Sequence, residues 1–166
     1  MEFLVGAVEM VVYILLSYLI GTILFAYLIG KLKKVNLQNE NSGNLGARNA
    51  GRTLGKWAFV VVAVGDGLKG LAVVIVGRLL NFSELAVALA VIAVLLGHLY
   101  PFWNKGRGGK GVATIVGAML AFSPLYVVVL VASFAVSWLM TKSATLSMGI
   151  SFVLYGIVLS IGVPAG

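Results

Sequence analysis

Glycine and positive charge coincide in one short stretch of the sequence, NKGRGGKGVAT at residues 104–114. Its cations are Lys105, Arg107 and Lys110, and four glycines separate and follow them. Successive backbone N–H groups in a glycine turn can form a concavity that binds anions. A helix beginning near Val112 would add the positive field of its N-terminal amides. This combination favours phosphate binding over a flexible turn whose charges only set membrane topology.

The same stretch does not have the spacing of a nucleotide-binding P-loop. That motif places four residues between its first glycine and a Gly-Lys pair, which Ser or Thr follows. Here Gly106 and Gly109 enclose only two residues, and Lys110 is followed by Gly111. Nucleotide hydrolysis is therefore not supported.

A second polar stretch, NENSGNLGARNAGRTLGKW at residues 39–57, mixes glycine with short polar side chains. Arg48 and Arg52 carry planar guanidinium groups, which suit bidentate binding of phosphate. The cations alone could serve only to set topology. That explanation leaves the interleaved small residues unaccounted for, and these are Ser42, Gly43, Asn44, Gly46 and Asn49.

Three of the ionisable residues inside apolar segments are candidates for a site. Asp66 and Lys69 are three residues apart and share one helical face, either as a structural ion pair or as part of a site. His98 is the single histidine. It would act as a general base, as a hydrogen-bond donor to phosphate, or as an interfacial residue that is hydrogen-bonded to backbone. One histidine and few carboxylates do not supply the three or four ligands of a metal site.

The composition is that of an integral membrane protein. Of the 166 residues, 61% are hydrophobic and 10% are charged, whereas a soluble domain is about half apolar and about a quarter charged. No cysteine is present, which excludes disulfides and thiolate metal sites. The net charge of +7 comes from cations between apolar segments. Membrane lipids or a phosphorylated substrate are therefore expected as partners rather than nucleic acid.

Apolar segments predict an all-α, polytopic protein with one domain over residues 1–166 and five or six transmembrane helices. One span needs about 20 apolar residues. Val112–Met140 is too long for one upright span and too short for two, and Pro124 is expected to break or kink it. It forms one tilted, broken helix or two short helices. The other predicted spans are Phe3–Gly30, Trp57–Val76, Leu85–Phe102 and Leu146–Val163.

Loop charges predict the orientation of these spans. The loops Lys31–Lys56 and Asn104–Gly111 are rich in Lys and Arg, so the positive-inside rule places both in the cytoplasm and the N-terminus outside. Two spans separate the loops, which is consistent with their lying on one side. The N-terminus lacks a basic n-region, and its apolar run reaches Ile29, which is not typical of a cleavable signal peptide.

Taken together, these stretches resemble the bacterial acyl-phosphate:glycerol-3-phosphate acyltransferases, the PlsY family. SGNLGARN at residues 42–49 with RTLG at 52–55 is similar to the family's first motif. Asp66-x-x-Lys69-Gly70 is similar to its second-helix signature, and Gly97-His98-x-x-Pro101 with GGKGVAT at 108–114 is similar to its second motif. The resemblance covers roughly residues 40–115, and the joint match is specific.

The resemblance implies transfer of an acyl group from a fatty acyl phosphate to the 1-hydroxyl of glycerol 3-phosphate, giving lysophosphatidic acid and phosphate. It implies phospholipid synthesis at the bacterial cytoplasmic membrane without a metal or another cofactor. Ser42 and Arg52 would act in catalysis, with His98 or a substrate phosphate deprotonating the hydroxyl. The expected phosphate loop contains Gly108, Gly109 and Gly111. Further candidates for substrate binding are Gly43, Asn44, Gly46, Asn49, Asp66, Lys69, Lys105, Arg107, Lys110 and Thr114.

The sequence departs from the family pattern in the loops and near its end. Arg48 stands where the family has Thr, Gly106 where it has an aromatic residue and Arg107 where it often has Lys. The family's third motif carries His, Asn and Glu, but none of these, and no Asp, Lys or Arg, follows Thr145. The alternative function is a non-catalytic membrane protein that binds phospholipid or acyl phosphate as a sensor or partner subunit. The oligomeric state is not indicated.

Overall fold

The computed structural model describes residues 2–162, and within that range the chain is helical with no strand. This confirms the all-α prediction. The helices are α1 (Glu2–Thr22), α2 (Phe25–Leu32), α3 (Ala47–Leu54), α4 (Lys56–Leu79), α5 (Glu84–Leu99), α6 (Val112–Phe122), α7 (Pro124–Thr141) and α8 (Ala144–Gly162), with 3₁₀ turns at Leu37–Asn39 and Phe102–Asn104.

Several helical segments have the composition and length of membrane spans. In the described range, three are long and apolar enough to cross a bilayer, namely Val5–Leu32, Lys56–Leu79 and Glu84–Asn104. Large side chains such as Leu16 and Val60 are about half exposed on these segments, as expected where lipid rather than water covers them. The shorter apolar helices are Val112–Phe122, Val127–Thr141 and Thr145–Val158.

The first predicted span is broken, which the sequence did not indicate. α1 ends at Thr22 and α2 begins at Phe25. A break in the hydrocarbon region is tolerated only where neighbouring groups satisfy the freed backbone. Trp103 Nε1 donates to Thr22 O at 3.1 Å, and Lys69 Nζ donates to the carbonyls on either side of Thr22. Side chains from distant parts of the chain therefore stabilise this break.

The chain forms two compact units that divide between Ala121 and Phe122. The first unit contains α1 to α6, and glycines bring its helices into close contact. A Cβ at Gly97 would lie 2.1 Å from Tyr18 O, and one at Gly70 would lie 1.9 Å from Thr114 O. Small residues let membrane helices approach closely in this way, so α5 packs on α1 and α6 packs on α4.

The second unit contains α7 and α8. α6 ends at Phe122, and Pro124 stands in the first turn of α7, where a missing backbone N–H is tolerated. The predicted break therefore produces two separate helices. α8 covers the predicted last span except Val163, which lies outside the described residues. The single domain over residues 1–166 stays a prediction.

Candidate functional site

The first polar stretch folds around α3, and Asn49 organises it. Asn49 is 2% exposed, and its Nδ2 donates to Leu37 O at 2.9 Å. Its Oδ1 accepts from both the backbone N–H and the hydroxyl of Ser42, each at 3.3 Å. Because the Ser42 hydroxyl donates its proton to Asn49, the lone pairs of its oxygen remain available to accept a hydrogen bond. Ser42 itself is exposed.

Further side-chain hydrogen bonds close the same loop. Asn41 Nδ2 donates to Thr53 Oγ1 at 2.9 Å, and Thr53 Oγ1 donates to Asn49 O at 3.1 Å. Gly43 has a φ of 66° and donates its N–H to Glu40 O at 2.8 Å. Glycine adopts this left-handed conformation without the strain of a side chain. The loop therefore depends on particular side chains and on one glycine turn.

Arg48 and Arg52 extend from α3 four residues apart, so they lie on one face of the helix. Both are exposed. Among the described residues, the structure assigns neither guanidinium a hydrogen bond or an ion pair. These two cations on one helical face, unpaired in the described part of the chain, are available to bind an anion.

The second loop is held by its backbone. The N–H groups of residues 106–109 all donate to carbonyls of the preceding segment. Gly108 N–H donates to Leu99 O and Gly109 N–H to His98 O, both at 3.0 Å, so they satisfy carbonyls at the end of α5. These four amides close a turn and are not available to an anion in this structure.

The amides that follow the turn are not used in this way. Within the described range, the N–H groups of residues 110–114 have no hydrogen-bond acceptor. The first hydrogen bond of α6 runs from Ile115 N–H to Gly111 O at 2.9 Å. Unpaired amides at a helix N-terminus favour negative charge. Within the described range, the amides of residues 110–114, rather than those of residues 106–109, are therefore free to bind an anion, and phosphate binding by this loop stays a prediction. Lys105, Arg107 and Lys110 are exposed around it.

The two loops meet at Gly109. A Cβ at this position would lie 2.1 Å from His98 Nε2 and 2.8 Å from Leu45 O. A Cβ at Gly108 would lie 1.9 Å from His98 O. Distances below 3.0 Å leave no room for a side chain, so both glycines are required by packing. Leu45, which is 1% exposed, is a contact residue that the polar pattern of the first loop did not indicate.

Asp66, Lys69 and His98 form one buried cluster beneath these loops. Lys69 Nζ lies 3.1 Å from Asp66 Oδ1 and 2.7 Å from His98 Nδ1. His98 Nδ1 is 3.6 Å from the same carboxylate oxygen. The structure thus joins residues that the sequence treated separately. It also shows that the His98 side chain is buried and lies against Lys69 and Asp66.

Thr114 is fully buried in the first turn of α6, and its hydroxyl has no hydrogen-bond partner among the described residues. Gly70 packs against its backbone, as described above. Ser42 and Arg52 are not hydrogen-bonded to the second loop in the described structure. The loops are therefore joined by packing at Gly109, and neither Ser42 nor Arg52 is used in joining them.

A membrane-embedded helical fold with exposed cations and unpaired amides on neighbouring loops defines a membrane protein suited to phosphorylated ligands. The family model for Glycerol-3-phosphate acyltransferase matches residues 11–164. The chain belongs to this family.

Two relatives illustrate the similarity in sequence. The chain is 46% identical over 134 residues to glycerol-3-phosphate acyltransferase 1 of Bacillus cereus, covering 80% of this chain and 74% of that protein. It is 40% identical over 124 residues to the glycerol-3-phosphate acyltransferase of Geotalea daltonii, covering 75% of this chain and 64% of that protein.

The fold is also similar to that of a solved relative. The crystal structure of PlsY, an integral membrane glycerol 3-phosphate acyltransferase, in its glycerol 3-phosphate form has a TM-score of 0.85 and 31% identity. The similarity covers 95% of this chain and 80% of PlsY. For the lysophosphatidic acid form the TM-score is 0.84 at 30% identity, covering 93% and 77%. These comparisons confirm the family predicted from the motifs.

Proposed function

We propose that this chain transfers a fatty acyl group from acyl phosphate to the 1-hydroxyl of glycerol 3-phosphate. The ester bond to the glycerol oxygen forms as the acyl–oxygen bond to phosphate breaks, and the hydroxyl proton leaves with inorganic phosphate. The products are lysophosphatidic acid and phosphate. Membership of the family supports the reaction class, and one structural observation supports the site: unpaired cations and amides lie on two loops that meet at Gly109.

Electrostatics supports this assignment. Both substrates carry phosphate near the reacting atoms, so they repel each other unless positive groups hold them. Arg52 and Lys110 are exposed, and the amides of residues 110–114 carry no assigned acceptor in the described range. Preorganised donors of this kind stabilise the charge that develops on the oxygen atoms in the transition state. Acyl phosphate is already activated, so positioning accounts for much of the remaining barrier.

Ser42 would orient the attacking hydroxyl. Its own proton is directed at Asn49, so its oxygen can accept a hydrogen bond from the glycerol 1-hydroxyl. The base is either His98 or a substrate phosphate oxygen. His98 is 2% exposed, and its Nδ1 lies 2.7 Å from Lys69 Nζ. This placement favours the phosphate oxygen.

The membrane arrangement suits one lipid and one soluble substrate. Apolar helices would solvate the acyl chain, while both loops would face the cytoplasm and soluble glycerol 3-phosphate. The excess of Lys and Arg in the loops supports this orientation, with the N-terminus outside. We place the protein in the cytoplasmic membrane of a bacterium, where it would serve phospholipid synthesis.

The test uses the purified chain in detergent with palmitoyl phosphate and glycerol 3-phosphate. We expect release of inorganic phosphate together with formation of lysophosphatidic acid, and release from Arg52→Ala that is about 10²- to 10³-fold slower. Phosphate release that does not depend on glycerol 3-phosphate would indicate hydrolysis instead of transfer. Binding of acyl phosphate without any release would favour the sensor or partner subunit over the enzyme.

A further inference from the structure

Lys69 connects the break in the first span with the second loop. Its Nζ donates to Gly21 O at 3.0 Å and to Ile23 O at 2.8 Å. The same atom lies 2.7 Å from His98 Nδ1 and 3.1 Å from Asp66 Oδ1. Lys69 is 5% exposed, so these protein groups, and not water, determine the geometry of its ammonium group.

The ion pair also complements the two helix ends at the break. The Lys69 ammonium lies at the C-terminal end of α1, where free carbonyls carry partial negative charge. The Asp66 carboxylate lies close to the backbone N–H of Phe25, the first residue of α2. Each charge therefore lies beside a helix end of opposite partial charge, which holds the ammonium in place.

This position of the ammonium determines which nitrogen of His98 carries the proton. A lysine ammonium has three N–H donors and no acceptor. At 2.7 Å, Nδ1 of His98 must therefore accept from Lys69. A neutral imidazole with an acceptor at Nδ1 carries its proton on Nε2. Nε2 faces Gly109, since a Cβ there would lie 2.1 Å from it.

We infer that Lys69 holds His98 as the Nε2–H tautomer and that the oriented imidazole sets the position of the Gly109 turn. The amides of residues 110–114 follow this turn directly, so their position depends on it. His98 is then a positioning residue that acts through Gly109 rather than a base at the reacting hydroxyl. The consequence for substrate affinity rests on the proposed function, whereas the tautomer and the contact do not.

The tautomer is tested by ¹⁵N NMR of the full chain labelled at histidine, since the sequence contains one histidine. We expect one protonated and one unprotonated ring nitrogen, with the proton on Nε2. The variant Lys69→Met with Asp66→Asn removes both charges and leaves neither one unpaired. In that folded variant the preference for Nε2–H should be lost. A wild-type spectrum with the proton on Nδ1 would overturn the inference.

The contact is tested by a pair of glycine variants. Gly109→Ala should raise the KM for glycerol 3-phosphate at least about tenfold, because its Cβ overlaps the imidazole. Adding His98→Ala removes that overlap and should recover part of the loss, although Leu45 O remains close. Gly108→Ala is the matched control, because its Cβ meets the backbone carbonyl of His98. His98→Ala should not rescue it, and equal rescue of both variants would contradict the inference.

A third variant separates positioning from general-base catalysis. His98→Asn keeps an oxygen that can accept from Lys69 but cannot act as a base near neutral pH. We expect kcat to fall less than about tenfold, whereas loss of a general base lowers the rate by about 10²- to 10⁴-fold. A fall in that larger range would overturn the positioning role. If the wild-type chain showed no acyl transfer, the proposed function would fail, while the NMR result would still decide the tautomer.

Discussion

The two loops of the first unit are stabilised by different means. In the first loop, Asn49 holds Ser42 and the Leu37 carbonyl through its side chain. In the second loop, the backbone N–H groups of Gly108 and Gly109 bond to carbonyls at the end of α5. The first loop therefore depends on particular side chains. The second loop depends on glycines, which leave room for the backbone contacts. Substitutions should affect the two loops for different physical reasons.

The largest effect is expected from a cation of the first loop that has no structural partner. Arg52→Ala should lower kcat/KM for acyl transfer by about 10²- to 10³-fold, the range found when one preorganised donor is removed. The midpoint of thermal unfolding in detergent should not change, because Arg52 is exposed and has no hydrogen bond or ion pair in the described range.

Arg48→Ala is the matched control, because it removes the same charge one turn earlier on α3. Its effect should be at least tenfold smaller than that of Arg52→Ala, because Arg48 stands where the family has Thr, so the reaction does not require a cation at this position. Equal losses would mean that the net charge of the loop, and not a specific contact by Arg52, determines activity.

The second loop should be destabilised when a larger side chain replaces Gly108. A Cβ at Gly108 would lie 1.9 Å from His98 O and 2.6 Å from Leu99 O, both backbone atoms. Overpacking costs about 1–3 kcal/mol, so Gly108→Ala should both lower the unfolding midpoint and raise the KM for glycerol 3-phosphate.

Gly55→Ala is the control for the glycine substitution. Gly55 has a φ of 93°, but no atom lies within 4 Å of its added Cβ. It therefore tests backbone strain without overpacking, and its effect on KM should be smaller. If Gly108→Ala left both KM and the unfolding midpoint at wild-type values, the backbone contact in the second loop would be wrong.

The buried amide of the first loop should contribute mainly to stability. Asn49→Ala removes the shorter of the two bonds to the Leu37 carbonyl, which keeps the N–H of Glu40 at 3.3 Å, and frees Ser42; a typical hydrogen bond contributes about 0.5–1.5 kcal/mol. We expect a lower unfolding midpoint together with reduced activity. Asn49→Asp retains the acceptor for Ser42 but loses the donor to Leu37, so it should recover activity more than stability. If Asn49→Asp recovered stability more than activity, the result would mean that Ser42 has no role in the reaction.

The smallest effect is expected at Asn41. Its Nδ2 donates to Thr53 Oγ1 at 2.9 Å in an exposed position, where water replaces a lost partner. Asn41→Gly removes this bond and keeps the left-handed φ of 48° without strain, so it should change the free energy of unfolding by less than about 0.5 kcal/mol and leave the KM for acyl phosphate close to that of the wild type. A loss comparable to that of Asn49→Ala would show that the whole loop folds as one unit.

Two helix breaks show what the sequence pattern could and could not predict. The break before α7 was predicted because Pro124 lacks a backbone N–H and disfavours a continuous helix. The break between α1 and α2 lies within the predicted span Phe3–Gly30, in a part of it (residues 10–30) that contains no charged residue and no proline. It is stabilised by donors from Lys69 and Trp103, which are remote in sequence. Local patterns do not contain such donors, so this break was missed.

The sequence by itself determined the membrane class, the helical fold, the two loops and the family, because composition, apolar length and motif spacing are local properties. Only the tertiary structure decided which groups meet. Lys69 and His98 are 29 positions apart on different helices, and helical periodicity gives the face of each residue without giving its neighbour. Likewise, the amides of Gly108 and Gly109 are used by α5, which leaves those of residues 110–114 for an anion. Every residue except proline has the same backbone N–H donor. The sequence therefore does not show which acceptor each N–H contacts, and the fold decides it.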